Sequence, residues 1–211
     1  MKVRDILPIR RLNPTKNPKE GNWSEHKKDL QEDFNYECGY CGSYDGYRHT
    51  WFEVDHFIPK DFFIPLGNIS TVEYSNLVYS CKFCNNNKLS KWPSKSETIF
   101  NINDEGFIDP CDVEYDKHLY RTETGSIMWL TKLGEWMAKV AFKFDVRDYS
   151  IKLLWEVNNL RKLVLDFSKI LSEIDENTDE YKDAKNKAYE LSYKYLLLHH
   201  ELMNYYNSLQ K

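Results

Sequence analysis

The chain has 211 residues, 41% of them hydrophobic and 29% charged, and a formal net charge of -4, the profile of an ordinary globular protein. No run of about 18 apolar residues occurs, which argues against a helical membrane span. The opening stretch MKVRDILPIRRLNPTKNPKEG lacks the apolar centre of a secretory signal, so a cytoplasmic location is expected.

The charge is unevenly spread. Residues 1–20 carry Lys2, Arg4, Arg10, Arg11, Lys16 and Lys19 against Asp5 and Glu20, a net of +4, which leaves -8 for the rest. This reads as a basic arm, with Arg10 and Arg11 as candidate nucleic-acid contacts. A short helix is expected from Ser24, whose hydroxyl suits a cap for SEHKKDLQEDF. Residues 34–120 are dense in Cys, Asn, aromatic and turn residues, with strand-like runs near Thr50–Val54 and Leu77–Tyr79. From about Thr131 the pattern is mostly helical. Apolar residues recur at three- and four-residue steps from Ile151 through Leu154, Val157, Leu160, Leu163, Val164, Phe167, Ile170 and Leu171 to Ile174. After DENTDE, with Thr178 as the expected cap, a second stripe runs Tyr181, Ala184, Ala188, Leu191, Tyr195, Leu198, Leu202. The short connection predicts an antiparallel helical hairpin between Ser150 and Gln210. Leu153, Trp155, Leu165, Leu196, Leu197, Tyr205 and Tyr206 fall off these stripes, and this surplus apolar surface suggests docking to a second copy or a partner subunit. Three regions follow: an arm at 1–33, a core at 34–120 and a helical region at 121–211.

Cysteines carry the strongest local signal. Cys38 and Cys41 stand in CGYC, and Cys81 and Cys84 in CKFC. In a reducing compartment, two such pairs supply the four thiolates of a tetrahedral structural zinc site. Four thiolates leave no open position for water, so chemistry must lie elsewhere. Cys111 is outside the pattern and reads as a buried free thiol.

Between the two pairs lies EVDHFIPK, where a short apolar strand ends on Asp55 and His56, and Pro59 then stops regular pairing. Side chains of adjacent strand residues point to opposite faces unless the strand ends there. A neutral imidazole beside a carboxylate is suited to taking a proton from water at physiological pH.

EVDHFIPK, followed by EYSNLVYSCKFCNNNK and flanked by the cysteine pairs, resembles the HNH endonuclease family over roughly Cys38 to Trp92. The resemblance implies an α+β fold: a zinc-stapled, treble-clef-like ββα-metal core carrying the arm and the helical hairpin. It implies DNA cleavage, with Asp55 and Asn85 holding the catalytic cation and His56 as general base. Asn76 would orient the His56 ring, and Lys88 would lie near the phosphate. Asn85 stands where the family name has its last His, and an amide oxygen there favours Mg²⁺ or Mn²⁺. Proteins of this layout occur in restriction and phage defence, some paired with an ATPase subunit. RNA is an alternative substrate, and a non-catalytic zinc module binding nucleic acid or protein is the competing function. That module would be indifferent to Asp55, His56, Asn76 and Asn85.

Other residues read more plainly. Lys60, Lys82, Lys88, Lys91 and Lys95 form a basic strip beside the site. His49 is expected to pack or lie at the surface, His118 to be structural, and His199 and His200 to be surface residues. Trp51, Phe52, Phe57, Phe62 and Phe63 are expected in the core.

Overall fold

The computed structural model describes residues 1–48 and 50–208; His49 and the expected hairpin end at Gln210 lie outside the described residues. Two compact units are present. The first holds Met1–Thr122 and Ser126–Arg147, and the second holds Glu123–Gly125 and the chain from Asp148. The boundaries expected after residues 33 and 120 are therefore not where the chain divides. Residues 1–33 are part of the first unit: Met1 and Arg121 exchange backbone hydrogen bonds, and Arg4 Nη1 donates to Gly39 O at 3.1 Å.

In the first unit a 3-10 turn at Trp23–His26 leads into α1, Lys27–Asp33. The turn begins ahead of Ser24 and neither segment has a side-chain cap, so Ser24 does not do what its residue type suggests. β1 (Phe52–His56) and β2 (Leu77–Cys81) pair antiparallel, with Phe52 opposite Cys81 and His56 opposite Leu77. A long connection containing α2 (Lys60–Phe63) joins them. Cys81 turns directly into α3, Lys82–Lys88, which completes a ββα unit. β1 stops at His56 because Ile58 is bonded to a side chain and Pro59 has no N–H to continue the ladder.

Two small hairpins follow, β3 (Asn101–Ile102) with β4 (Glu105–Gly106) and β5 (Leu119–Arg121) with β6 (Ile127–Trp129). α4 (Tyr115–His118) precedes β5. α5 (Lys132–Glu135) starts where Thr131 Oγ1 accepts from Gly134 N, and it runs on as a π-helical turn, Trp136–Ala141. Aromatic contacts knit these pieces to the ββα unit. Trp92 stacks on Phe107 at 5.5 Å, Phe57 meets Trp92 edge-on, and Phe142 stacks on Phe144. Each such pair contributes about 0.5–1.5 kcal/mol beyond the area it buries. Phe52, Phe57 and Phe63 are buried as expected, whereas Trp51 is 77% exposed, because it precedes the strand; its backbone carbonyl accepts from Lys82 N.

The second unit is a helical hairpin of α6 (Tyr149–Glu173) and α7 (Asp179–Ser208). Asp148 caps α6 through Ser150 N, and Thr178 Oγ1 caps α7 through Tyr181 N at 3.1 Å. The stripe from Tyr181 to Leu202 is the less exposed side of α7, as its spacing requires. Leu163, Leu165, Ile170, Leu196 and Leu197 are exposed, and so are His199 and His200.

Candidate active site

The cysteine pairs converge. Cys38 and Cys41 lie in a tight knuckle that Gly42 closes at φ +62°, where a Cβ would come within 2.5 Å of Val3 O. Gly39 N donates to Tyr79 O at 2.9 Å, which fastens the knuckle to β2. Cys81 ends β2 and Cys84 lies in the first turn of α3, so a strand end and a helix start present the other two sulfurs. All four are buried, with Sγ atoms within 4.8 Å of one another. Zinc–sulfur bonds of about 2.3 Å in a tetrahedron give sulfur–sulfur edges of about 3.8 Å. The Cys41–Cys81 separation is 3.7 Å. Buried Arg147 reaches Cys81 Sγ at 3.6 Å; burial works against its charge, but the sulfurs of Cys41, Cys81 and Cys84 hold its pKa above the usual value. A guanidinium is the counter-charge that a zinc tetrathiolate needs in a dry interior. Both observations fit zinc. Cys111 takes no part in the cluster, and burial pushes its thiol up to about 11.

A cavity of about 450 Å³ opens beside this ββα unit, lined by Trp23, Glu53, Asp55, His56, Lys60 and Asn85 among others. Asp55 and His56 both border it because His56 is the last residue of β1, where the strict alternation of a strand lapses. His56 Nε2 lies 2.8 Å from Thr71 O. A carbonyl only accepts, so Nε2 carries the hydrogen and, in the neutral ring, Nδ1 keeps its lone pair. Thr71 is itself pinned from the arm: its N–H donates to Glu20 Oε1 at 2.7 Å, and its Oγ1 accepts from Gly21 N at 2.8 Å. Trp23 and Phe63 pack against the ring at 5.1 and 5.6 Å between centroids. Burial holds the His56 pKa below its ordinary value; the Thr71 carbonyl and Asp55 oppose that, and Lys60 and Lys88 reinforce it.

Asp55 Oδ2 accepts the Tyr40 hydroxyl at 2.6 Å and meets Lys88 Nζ at 3.1 Å. Among the described residues no donor is bonded to Oδ1. Lys88 is wholly buried and also donates to His56 O at 2.8 Å, so it braces the end of β1 from inside the fold. Burial lowers its pKa while Asp55 counteracts the shift. Lys88→Met should destabilise the chain by roughly 3 kcal/mol, since it strands the Asp55 carboxylate without its ion partner. Urea unfolding of the variant and wild type at pH 7 checks this.

Asn85, in α3, donates from Nδ2 to Glu53 Oε2 at 2.7 Å. Asn76 does not touch the His56 ring as expected. Its Oδ1 accepts from Ile58 N at 2.9 Å and its Nδ2 donates to Ile58 O, which fixes the turn leaving β1. The ring is held by Thr71 O, a backbone group to which no side-chain pattern points.

Arg10 and Arg11 also differ from expectation. Arg10 donates to Leu77 O and forms a two-oxygen pair with Asp109, and Arg11 pairs with Asp29, Glu32 and Asp33. These two arginines are thus engaged in ion pairs of the fold, while Lys2, Lys16 and Lys19 of the same segment are exposed. Of the basic strip, Lys60 sits at the cavity with its ammonium 3.9 Å over the Trp23 ring, and Lys82 and Lys95 are exposed. His118 bonds Thr131 Oγ1 at 2.7 Å, away from the cavity. Glu53, Tyr40 and Thr71 are the site residues that reading the sequence missed. Glu53 alone left a signal, being two residues before Asp55 on one strand face.

Residues 38–91 match the family model HNH endonuclease, so the chain carries an HNH domain. No curated protein and no solved structure matches the chain. An HNH domain with four clustered cysteines supports a nuclease-type function and metal binding in general. No helix is long and apolar enough to cross a membrane among the described residues.

Proposed function

We propose that the chain is a divalent-metal-dependent endonuclease acting on DNA, with His56 as general base. The observation that carries the reading is the bond from His56 Nε2 to Thr71 O, which turns Nδ1 into the ring's acceptor at the cavity. In the reaction, Nδ1 takes a proton from a water whose oxygen attacks the phosphorus. The bond from phosphorus to the leaving ester oxygen then breaks, and that oxygen takes up a proton. Oδ1 atoms of Asp55 and Asn85 suit a hard cation, Mg²⁺ or Mn²⁺, which would neutralise charge on the phosphate and the departing oxygen. Lys60 supplies a fixed positive charge at the mouth of the cavity. The zinc cluster holds the β2–α3 junction, and hence Asn85, in place.

The pH dependence follows from the depressed His56 pKa. Only the neutral ring accepts a proton, so the rate should rise with pH through an inflection below the ordinary imidazole value. An inflection above 7 in a single-turnover profile would contradict this assignment. Substrate class is tested by incubating zinc-loaded protein with plasmid and with RNA, each with Mg²⁺, Mn²⁺ or EDTA. Cleavage of plasmid that EDTA abolishes supports the proposal; cleavage of RNA alone overturns the DNA assignment. The resemblance extends the reading to restriction and phage-defence systems, with an ATPase or second copy as partner. Phage plating on cells expressing wild-type or His56→Ala protein tests that extension.

A further inference from the structure

We infer that Glu53 is a positioning residue that sets the orientation of the Asn85 amide, so that its oxygen and not its nitrogen faces the cation site. The inference rests on the reading of Asp55 and Asn85 as cation ligands. Glu53 and Asp55 stand two apart on β1 and share a face, opposite Ser80 and Val78 of β2. α3 returns across that face and brings Asn85 to it. The contact is a hydrogen bond of 2.7 Å from Asn85 Nδ2 to Glu53 Oε2.

An asparagine amide has two faces of nearly equal shape and opposite polarity, and its surroundings decide which way it points. Beside a carboxylate only the NH₂ end is favourable, because the reversed amide would set two acceptors against each other. With Nδ2 held by Glu53, Oδ1 is the atom left over, and no donor among the described residues is bonded to it. Glu53 therefore acts on Asn85 as Thr71 O acts on His56: each fixes one end of a two-ended group and so assigns the other end its role. Both Glu53 and Asn85 border the cavity that holds Asp55 and His56. Partners that orient a metal ligand are typically worth about 10- to 100-fold in metal affinity.

The test is Mn²⁺ titration of zinc-loaded, full-length protein, followed by the paramagnetic resonance of free Mn²⁺, with zinc content and thermal melting as controls for folding. Glu53→Ala should bind Mn²⁺ about 10- to 100-fold more weakly than wild type. Glu53→Gln should recover most of that loss, since a glutamine carbonyl still accepts from Nδ2. In an Asn85→Ala background, Glu53→Ala should add little further loss. Wild-type affinity in folded Glu53→Ala overturns the inference. Equal losses in Glu53→Ala and Glu53→Gln, or full additivity with Asn85→Ala, overturn it too, because they assign Glu53 a role through its charge alone. Failure of wild type itself to bind Mn²⁺ would instead remove the cation site on which the inference rests.

Discussion

Cys81→Ser protein should lose its zinc and melt roughly 10 °C or more below wild type. Wild-type protein should carry about one tightly held zinc per chain, resistant to mild EDTA. Cys81 ends β2, starts α3 and faces both Cys41 and Arg147, so its loss acts on all three. Without the metal, the 38–41 knuckle is held to β2 by the Gly39–Tyr79 backbone bond and by the packing of Tyr40, but the four sulfurs are no longer crosslinked. Arg147 is then a buried cation without its full complement of negative sulfur. Structural zinc sites are worth about 10 kcal/mol or more in small modules. Even a loss of 3–5 kcal/mol here, part being offset by the aromatic core, gives a melting shift of that size for a unit of this length. Metal analysis and calorimetry measure both quantities. A variant that melts with wild type and keeps its activity would contradict a structural zinc.

The second large effect is on rate. His56→Ala should lose about 10²- to 10⁴-fold in DNA cleavage. Its zinc content and Mn²⁺ affinity should stay close to wild type, because the ring touches neither the thiolates nor the side chains of Asp55 and Asn85. Thr71, held by Glu20 and Gly21, keeps its place without the ring. Asp55→Ala should differ in kind: it strands buried Lys88, which lowers stability, and it weakens cation binding, a defect in rate that raised Mn²⁺ partly corrects. Single-turnover rates over a range of Mn²⁺ separate the two, since added cation cannot restore a missing base.

What could be read from sequence and what could not divide along the length scale of the signal. The four cysteines, the Asp55-His56 pair and the α7 stripe are local patterns, each contained within a few residues or one helix face. The partners of charged groups are not local. Arg10 meets Asp109 and Arg11 meets Asp29, so two cations of the run that reads as a basic arm are engaged in ion pairs within the fold. Lys88 reads as a member of a basic strip near the phosphate. Only the return of α3 across β1 shows that it is buried against Asp55. The motif points to Asn76, but its partner is the Ile58 backbone, and the group that fixes the His56 ring is the Thr71 carbonyl, which carries no side-chain signature at all. Trp51 reads as core from its aromatic neighbours, yet its position one residue before β1 leaves it outside the strand's alternation.

Divalent-cation hydrolysis of phosphodiesters in this cavity can be followed on plasmid DNA. Supercoiled plasmid is incubated at pH 7 with zinc-loaded wild-type protein, in Mg²⁺ or Mn²⁺ and in EDTA, and the nicked and linear forms are counted over time. The expected result is conversion that requires the added cation and stops in EDTA while the zinc stays bound. Conversion that continues unchanged in EDTA, or none with either cation by a folded, zinc-loaded chain, would contradict it.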